Sequence, residues 1–265
     1  MLPFIEVFGH SISMYWLSAI VGAVLACAFA LLRACSSRFR TSVKDVFFLF
    51  LLCVFGAYVG ATLLQAVGLT IQNIANPGFW TWQNWLRILR AGGVFYGGLI
   101  GGFLTALIYI RKRKLDFRDI TDIMVPSILL FHAVGRLGCF FAGCCFGREV
   151  AWGIMMPTGA VLFPVQLIEA GFNLLVLAEI LIFRPERERP GILLPMYLVA
   201  YALMRFFVEF MRGDVGRGIF ILSTSQWISL AILLTLGIIF MIKRKKRRDK
   251  TNRTLKEPFS LEGHA

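Results

Sequence analysis

The first 12 residues contain no Lys or Arg. The basic n-region of a secretory signal is therefore missing, and no cleavable signal peptide is expected. No internal repeat and no separate soluble domain is visible, which argues against a solenoid or an appended globular module. Paired C-x-x-C spacing is also lacking, so a zinc ribbon or dithiol redox motif does not stand out. The six cysteines are not a disulfide framework. Cys27, Cys35 and Cys53 scatter in or beside the first two apolar runs, and only Cys139, Cys144 and Cys145 cluster.

What the chain has in abundance is apolar length. It is 58% hydrophobic with 25 phenylalanines, and its mean hydropathy is +0.73, the composition of a polytopic membrane protein rather than a soluble domain. A hydrocarbon core takes about 20 mostly apolar residues to cross. That ruler predicts an all-α protein with seven transmembrane helices, over 12–32, 45–67, 92–110, 120–141, 164–183, 191–211 and 219–242. Residues 1–242 read as one seven-span domain and 243–265 as a basic tail. Residues 68–91, with Trp80, Trp82 and Trp85, read as an interfacial segment.

The net charge of +13 is unevenly spread. Connections 33–44, 111–118 and 184–189, together with the segment Lys243–Lys256, hold 21 of the 28 Lys and Arg. The positive-inside rule then puts the N-terminus outside and the C-terminus in the cytoplasm. The stretch "KRKKRRDK" is expected to anchor the last span and touch anionic lipid, with no nucleic acid as partner.

Polar residues inside the spans are the informative ones. Projected onto this topology, Tyr15, Tyr96, His132, Arg136, Pro164, Gln166, Glu169, Arg205, Glu209 and Arg212 all fall toward the outer leaflet. Arg205, Glu209 and Arg212 follow i, i+4, i+7, one stripe of a helix, and His132 and Arg136 share a face by i, i+4. Charge inside a span is costly and faces a cavity or a partner. Glu209 can neutralise one arginine of its stripe. The positive charge left, with Arg136, exceeds what nearby acids obviously cancel, so an anion is expected, and the planar guanidinium fork suits phosphate. Snorkelling of Arg148 and Arg212 from helix ends, a structural ion pair for Arg136 and Arg205, and interface anchoring of Tyr15 and Tyr96 stand beside that reading. His132 reads first as a hydrogen-bonded packing residue. Gly56 and Gly60 with Gly97, Gly98, Gly101 and Gly102 suit close helix packing.

The segments "GRLGCFFAGCCFGR", "AGGVFYGGLIGG", "FPVQLIEAGFN", "RFFVEFMR" and "STSQWISL" occur in that order across the membrane portion. Together they resemble the signatures of the prolipoprotein diacylglyceryl transferase family. The resemblance implies an enzyme at the outer leaflet of the bacterial cytoplasmic membrane. It would move the diacylglyceryl group of phosphatidylglycerol onto the lipobox cysteine of a preprolipoprotein, forming a thioether and releasing glycerol phosphate. It implies catalytic roles for Arg136, Arg205, Glu209 and Tyr96. Substrate would be bound by Arg136, Arg205, Arg212, Tyr15, Gln166, Glu169, Gly97 and Gly98. No cofactor or metal is expected, and the span packing suggests a monomer.

The departures from the family pattern are specific. Tyr96 stands for a third-span histidine, and a phenol (pKa about 10) is a poorer base than an imidazole (about 6.5). Cys139, Ala142 and Cys144 stand for two asparagines and an acid, and Phe163 for a second histidine. His132 is a substitute base on this reading. For the cysteine trio, small apolar packing leads; a disulfide from Cys139 to Cys144 or Cys145 and a metal site completed by His132 are the alternatives. Other functions left open are a related enzyme with another acceptor, a non-catalytic anionic-lipid-binding or transport protein, and a thiol-redox or metal membrane protein.

Overall fold

The structure is a computed structural model, and it describes residues 4–7, 10–73, 81–90, 94–155, 159–213, 218–219 and 221–256. Eight α-helices are found among the described residues: α1 (Met14–Ala34), α2 (Val43–Gln72), α3 (Trp82–Arg90), α4 (Phe95–Arg113), α5 (Phe117–Ala142), α6 (Val165–Phe183), α7 (Leu193–Val208) and α8 (Thr224–Lys256). Three short antiparallel pairs accompany them, β1 (Phe4–Val7) with β2 (His10–Ser13), β3 (Glu149–Met155) with β4 (Val161–Leu162), and β5 (Gly218–Ile219) with β6 (Leu222–Ser223).

Among the described residues six helices are long and apolar enough to cross a membrane: α1, α2, α5, α6, α7 with its 3-10 extension to Met211, and α8 from Thr224 to Lys246. The expected third span, α4, falls outside this set. It is 19 residues long, carries four glycines and ends on Arg111, Lys112 and Arg113, so its apolar stretch is diluted. Helix α2 runs on to Gln72, so residues 68–72 of the expected interfacial segment extend the second helix instead. Apolar residues continue through that stretch, and nothing breaks the helix before Asn73. Within α3, Trp82 and Trp85 are exposed, while Trp80 lies outside the described residues.

The chain divides into two compact units. One comprises Met1–Val21, His132–Pro185 and Ile192–Ala265; the other comprises Gly22–Phe131 and Glu186–Gly191. The second unit is organised by α2 against α4. A Cβ added at Gly60 would lie 2.9 Å from the Gly101 Cα, and one at Gly97 would lie 2.7 Å from the Leu64 Cβ. Hydrogen at these positions lets the two backbones touch, the close packing that membrane helices use in place of a hydrophobic drive. Ser42 caps α2 by accepting the Lys44 N–H at 3.3 Å, and Asp45 in its first turn pairs with Arg113 at 3.0 Å. The same unit holds a second charged knot. Arg33 pairs with Glu186 at 3.2 Å, Arg38 donates to the Glu186 carbonyl, and the buried Asp122 carboxylate accepts the Gly191 N–H at 2.7 Å.

Gly60→Val is expected to overpack this contact and cost about 1–3 kcal/mol. The same scan should find Gly68→Ala neutral or stabilising, since nothing lies within 4 Å of an added Cβ there and helical Gly→Ala gains up to about 1 kcal/mol. Thermal unfolding in detergent checks both.

Candidate active site

The site lies in the first unit and is built from four helices. Helix α6 starts directly after Pro164, whose missing N–H costs nothing at a helix entrance. Gln166, Glu169 and Asn173 then fall at i, i+3, i+7, a polar stripe in an apolar helix, and all three are buried. Helix α7 presents Tyr197, Tyr201 and Arg205 at successive i+4 steps, and its 3-10 extension adds Glu209. Helix α5 contributes His132 and Arg136, and α8 contributes Ser225, Gln226 and Ser229.

Glu169 is the hub. Its Oε1 accepts Arg205 Nη1 at 2.7 Å, and its Oε2 lies 2.5 Å from Arg136 Nε. Arg205 Nη2 reaches Glu209 Oε2 at 2.7 Å and donates to Ser225 Oγ at 3.2 Å. Arginines from two helices thus converge on one carboxylate from a third. The Glu169 side chain is 0% exposed, whereas those of Arg136 and Arg205 are 17% and 10% exposed. The cations, not the acid, reach accessible space. Glu169 Oε2 and Glu209 Oε2 take no aligned hydrogen bond, so those two pairs are charge contacts that a better-placed anion can rearrange.

The structure corrects the expected charge balance. Glu169 was read as a substrate-binding residue, with only Glu209 offsetting the arginines. Here both Glu169 and Glu209 pair with Arg136 and Arg205, so more of their positive charge is met by acids than the spacing suggested. The physical reason is desolvation, because buried guanidinium groups need an opposite charge even when the site is empty.

The turn after α5 is pinned on both sides. Gln166 Nε2 donates to the Cys144 carbonyl at 2.7 Å. The Gly147 N–H donates to the Phe163 carbonyl at 3.0 Å, and the Arg148 N–H to the Met211 carbonyl at 2.9 Å. A Cβ on Gly147 would lie 2.6 Å from the Met211 oxygen, so glycine is required for this approach. Gly138 similarly faces the Ser18 side chain of α1. The Cys139, Cys144 and Cys145 thiols gather here within 4.8 Å of one another, the one group among the described residues with metal-ligand spacing. Hydrogen bonds from the Cys139 and Cys144 thiols, with the Arg212 guanidinium beside it, hold the Cys145 thiol below the ordinary thiol range.

Of the sequence-derived residues, Arg136, Gln166, Glu169, Arg205, Glu209 and Arg212 are brought together in this unit. Tyr15 is about half exposed and has Arg136 and the three cysteines as electrostatic neighbours. Tyr96, Gly97 and Gly98 belong to the other unit. Gly97 faces the Gly60 carbonyl and Gly98 the Ala57 carbonyl, a packing position for both. His132 is held as a packing residue: its Nδ1 lies 3.3 Å from the Tyr197 hydroxyl and its ring is 5.2 Å from that of Tyr201. Sequence reading missed Tyr197 and Tyr201. The i+4 register that leads into Arg205 was the available signal.

These features define a class, the multi-helix membrane proteins whose buried arginines from separate helices meet around one carboxylate. More narrowly, the chain belongs to the prolipoprotein diacylglyceryl transferase family, whose model matches residues 3–243. It is similar to the phosphatidylglycerol–prolipoprotein diacylglyceryl transferase of Clostridium tetani, 31% identical over 92% of this chain and 98% of that protein. A second protein of that name in Clostridium perfringens is 29% identical over 93% and 96%. That of Halalkalibacterium halodurans is 30% identical over 88% and 84%.

Proposed function

We propose that this chain transfers the diacylglyceryl group of phosphatidylglycerol to the lipobox cysteine of preprolipoproteins, at the outer leaflet of the bacterial cytoplasmic membrane. The observation that carries the reading is the meeting of Arg136 and Arg205 on Glu169, with the guanidinium groups accessible and the carboxylate not. A lipid phosphate entering there takes over guanidinium donors that the carboxylates hold in its absence. The acceptor sulfur forms a bond to the glyceryl carbon as the carbon–oxygen bond to phosphate breaks. The electron pair leaves with glycerol phosphate, whose new charge the arginines stabilise. Arg212, close to the cysteine turn, adds positive potential for the incoming thiolate. Glu209 and Glu169 orient Arg205, Gln166 fixes the turn, and Tyr15 lines the approach. The parts of Tyr96, Gly97 and Gly98 rest on the motif alone.

In this reading α4 is the third of seven spans, despite its glycines and basic end, and the enzyme works as a monomer with its N-terminus outside and its C-terminus in the cytoplasm. The uneven spread of Lys and Arg supports the orientation. The same pair of partly accessible guanidinium groups would also hold the headgroup in a second reading, an anionic-lipid-binding protein without turnover.

One assay separates them. Purified protein in phosphatidylglycerol nanodiscs with a lipobox peptide is expected to yield a thioether-linked diacylglyceryl peptide by mass spectrometry, and phosphatidylcholine nanodiscs none. Lipid retained without product would install the binding reading instead.

A further inference from the structure

The transfer chemistry above leaves three thiols unused. Cys139 lies in the last turn of α5, Cys144 and Cys145 follow just beyond its end, and the three Sγ atoms lie within 4.8 Å of one another. Tetrahedral zinc with Zn–S near 2.3 Å needs its sulfurs about 3.8 Å apart, so the trio has to contract by about 1 Å at most. A disulfide would need about 2.05 Å and would leave one thiol over.

The turn is arranged around the thiols. Gly143 and Cys145 adopt left-handed φ of 70° and 60°, and at Cys145 that conformation is unfavourable for a side chain. The Cys144 N–H donates to the Cys139 carbonyl at 3.1 Å, and Gln166 holds the Cys144 carbonyl from α6. Such outer contacts are what fix ligand geometry at metal sites. The trio also sits at the C-terminal end of α5, where free carbonyls favour a cation. Arg136 and Arg212 flank it, which suits the net charge of −1 that a divalent ion with three thiolates carries. Cys144 and Cys145 are only partly buried, so a fourth position is accessible.

We propose that Cys139, Cys144 and Cys145 hold a zinc ion whose open fourth position receives the acceptor cysteine as a thiolate. Zinc displaces one proton from each of the three thiols to solvent, and the acceptor thiol loses its proton to solvent on coordination. Its sulfur then bonds to the glyceryl carbon, the carbon–oxygen bond to phosphate breaks, and glycerol phosphate leaves with the electron pair. Nothing is oxidised. A metal-bound thiolate needs no general base, which fits a site whose imidazole, His132, is engaged with Tyr197. The acceptor role rests on the transferase reading; the metal site does not.

The test uses the full chain, purified in detergent without oxygen and with a phosphine reductant. About one zinc per chain is expected by elemental mass spectrometry, falling at least about tenfold in Cys139→Ser, Cys144→Ser and Cys145→Ser but not in Cys35→Ser. Because a Ser variant can fail to fold, the unaltered chain is also stripped and loaded with Co2+. Thiolate-to-cobalt absorption and tetrahedral visible bands should appear, and a lipobox peptide should shift them while its Cys→Ser version does not. Metal-free protein with three titratable thiols in the trio overturns the proposal, as does a Cys139 disulfide to Cys144 or Cys145. A cobalt spectrum indifferent to the peptide overturns the acceptor role. Zinc bound without thioether product sinks the transferase reading and upholds the site. Product at full rate from stripped, reduced protein upholds the transferase reading and overturns the acceptor role.

Discussion

Arg205→Ala is expected to abolish transfer, lowering the rate by about a thousandfold or more, and to destabilise the fold by about 3–5 kcal/mol. Two buried acids depend on this one guanidinium. Glu169 Oε1 and Glu209 Oε2 lie 2.7 Å from its two terminal nitrogens, and Ser225 completes the set. After truncation Glu169 still has Arg136, but Glu209 loses the ion pair that offsets its desolvation. Arg205→Lys separates charge from geometry. A single ammonium can serve Glu169 or Glu209 but does not reproduce the planar fork that bridges them. It should recover part of the thermal midpoint in detergent and little of the thioether yield. Wild-type transfer by Arg205→Ala would remove Arg205 from the site altogether.

The part of this site that lies along single helices was legible before any coordinates. The Arg205 and Glu209 register follows from 3.6 residues per turn, and Gln166 and Glu169 were placed in the first turns of the expected fifth span. Pairing between helices is a different matter. No local period tells that Glu169 of α6 will stand between Arg136 of α5 and Arg205 of α7, so the expected charge surplus was too large. The same limit hid the second knot, in which Asp122 sits fully buried against Arg38 and Gly191. The glycines of α2 and α4 were readable as a packing surface because small residues at that spacing let membrane helices approach closely. The cysteine trio stood out as a cluster in the sequence, but the meeting of its three thiols depends on a turn with a left-handed Cys145 that spacing alone does not encode. Among the described residues six helices qualify by length and composition, and α4, the expected third span, stays outside that set because its glycines and basic end dilute its apolar stretch.

Glu169→Gln should split binding from turnover. The substitution keeps the shape of the side chain but removes the charge that holds Arg136 and Arg205 together. The cluster then gains one unit of net positive charge, so phosphatidylglycerol should bind about tenfold more tightly, an effect that weakens as salt is raised. Catalysis depends on aim as well as charge. With one neutral amide between them, the guanidinium groups lose a shared acceptor and their fixed orientation, and kcat should fall by about a hundredfold. Tighter lipid retention with slower thioether formation is therefore the expected pair of results, read by native mass spectrometry and single-turnover kinetics. Weaker lipid binding would mean that Glu169 does not compete with the phosphate for the arginines. An unchanged kcat would mean that their orientation is set elsewhere, and the carboxylate at the centre of the cluster would then serve only to neutralise it.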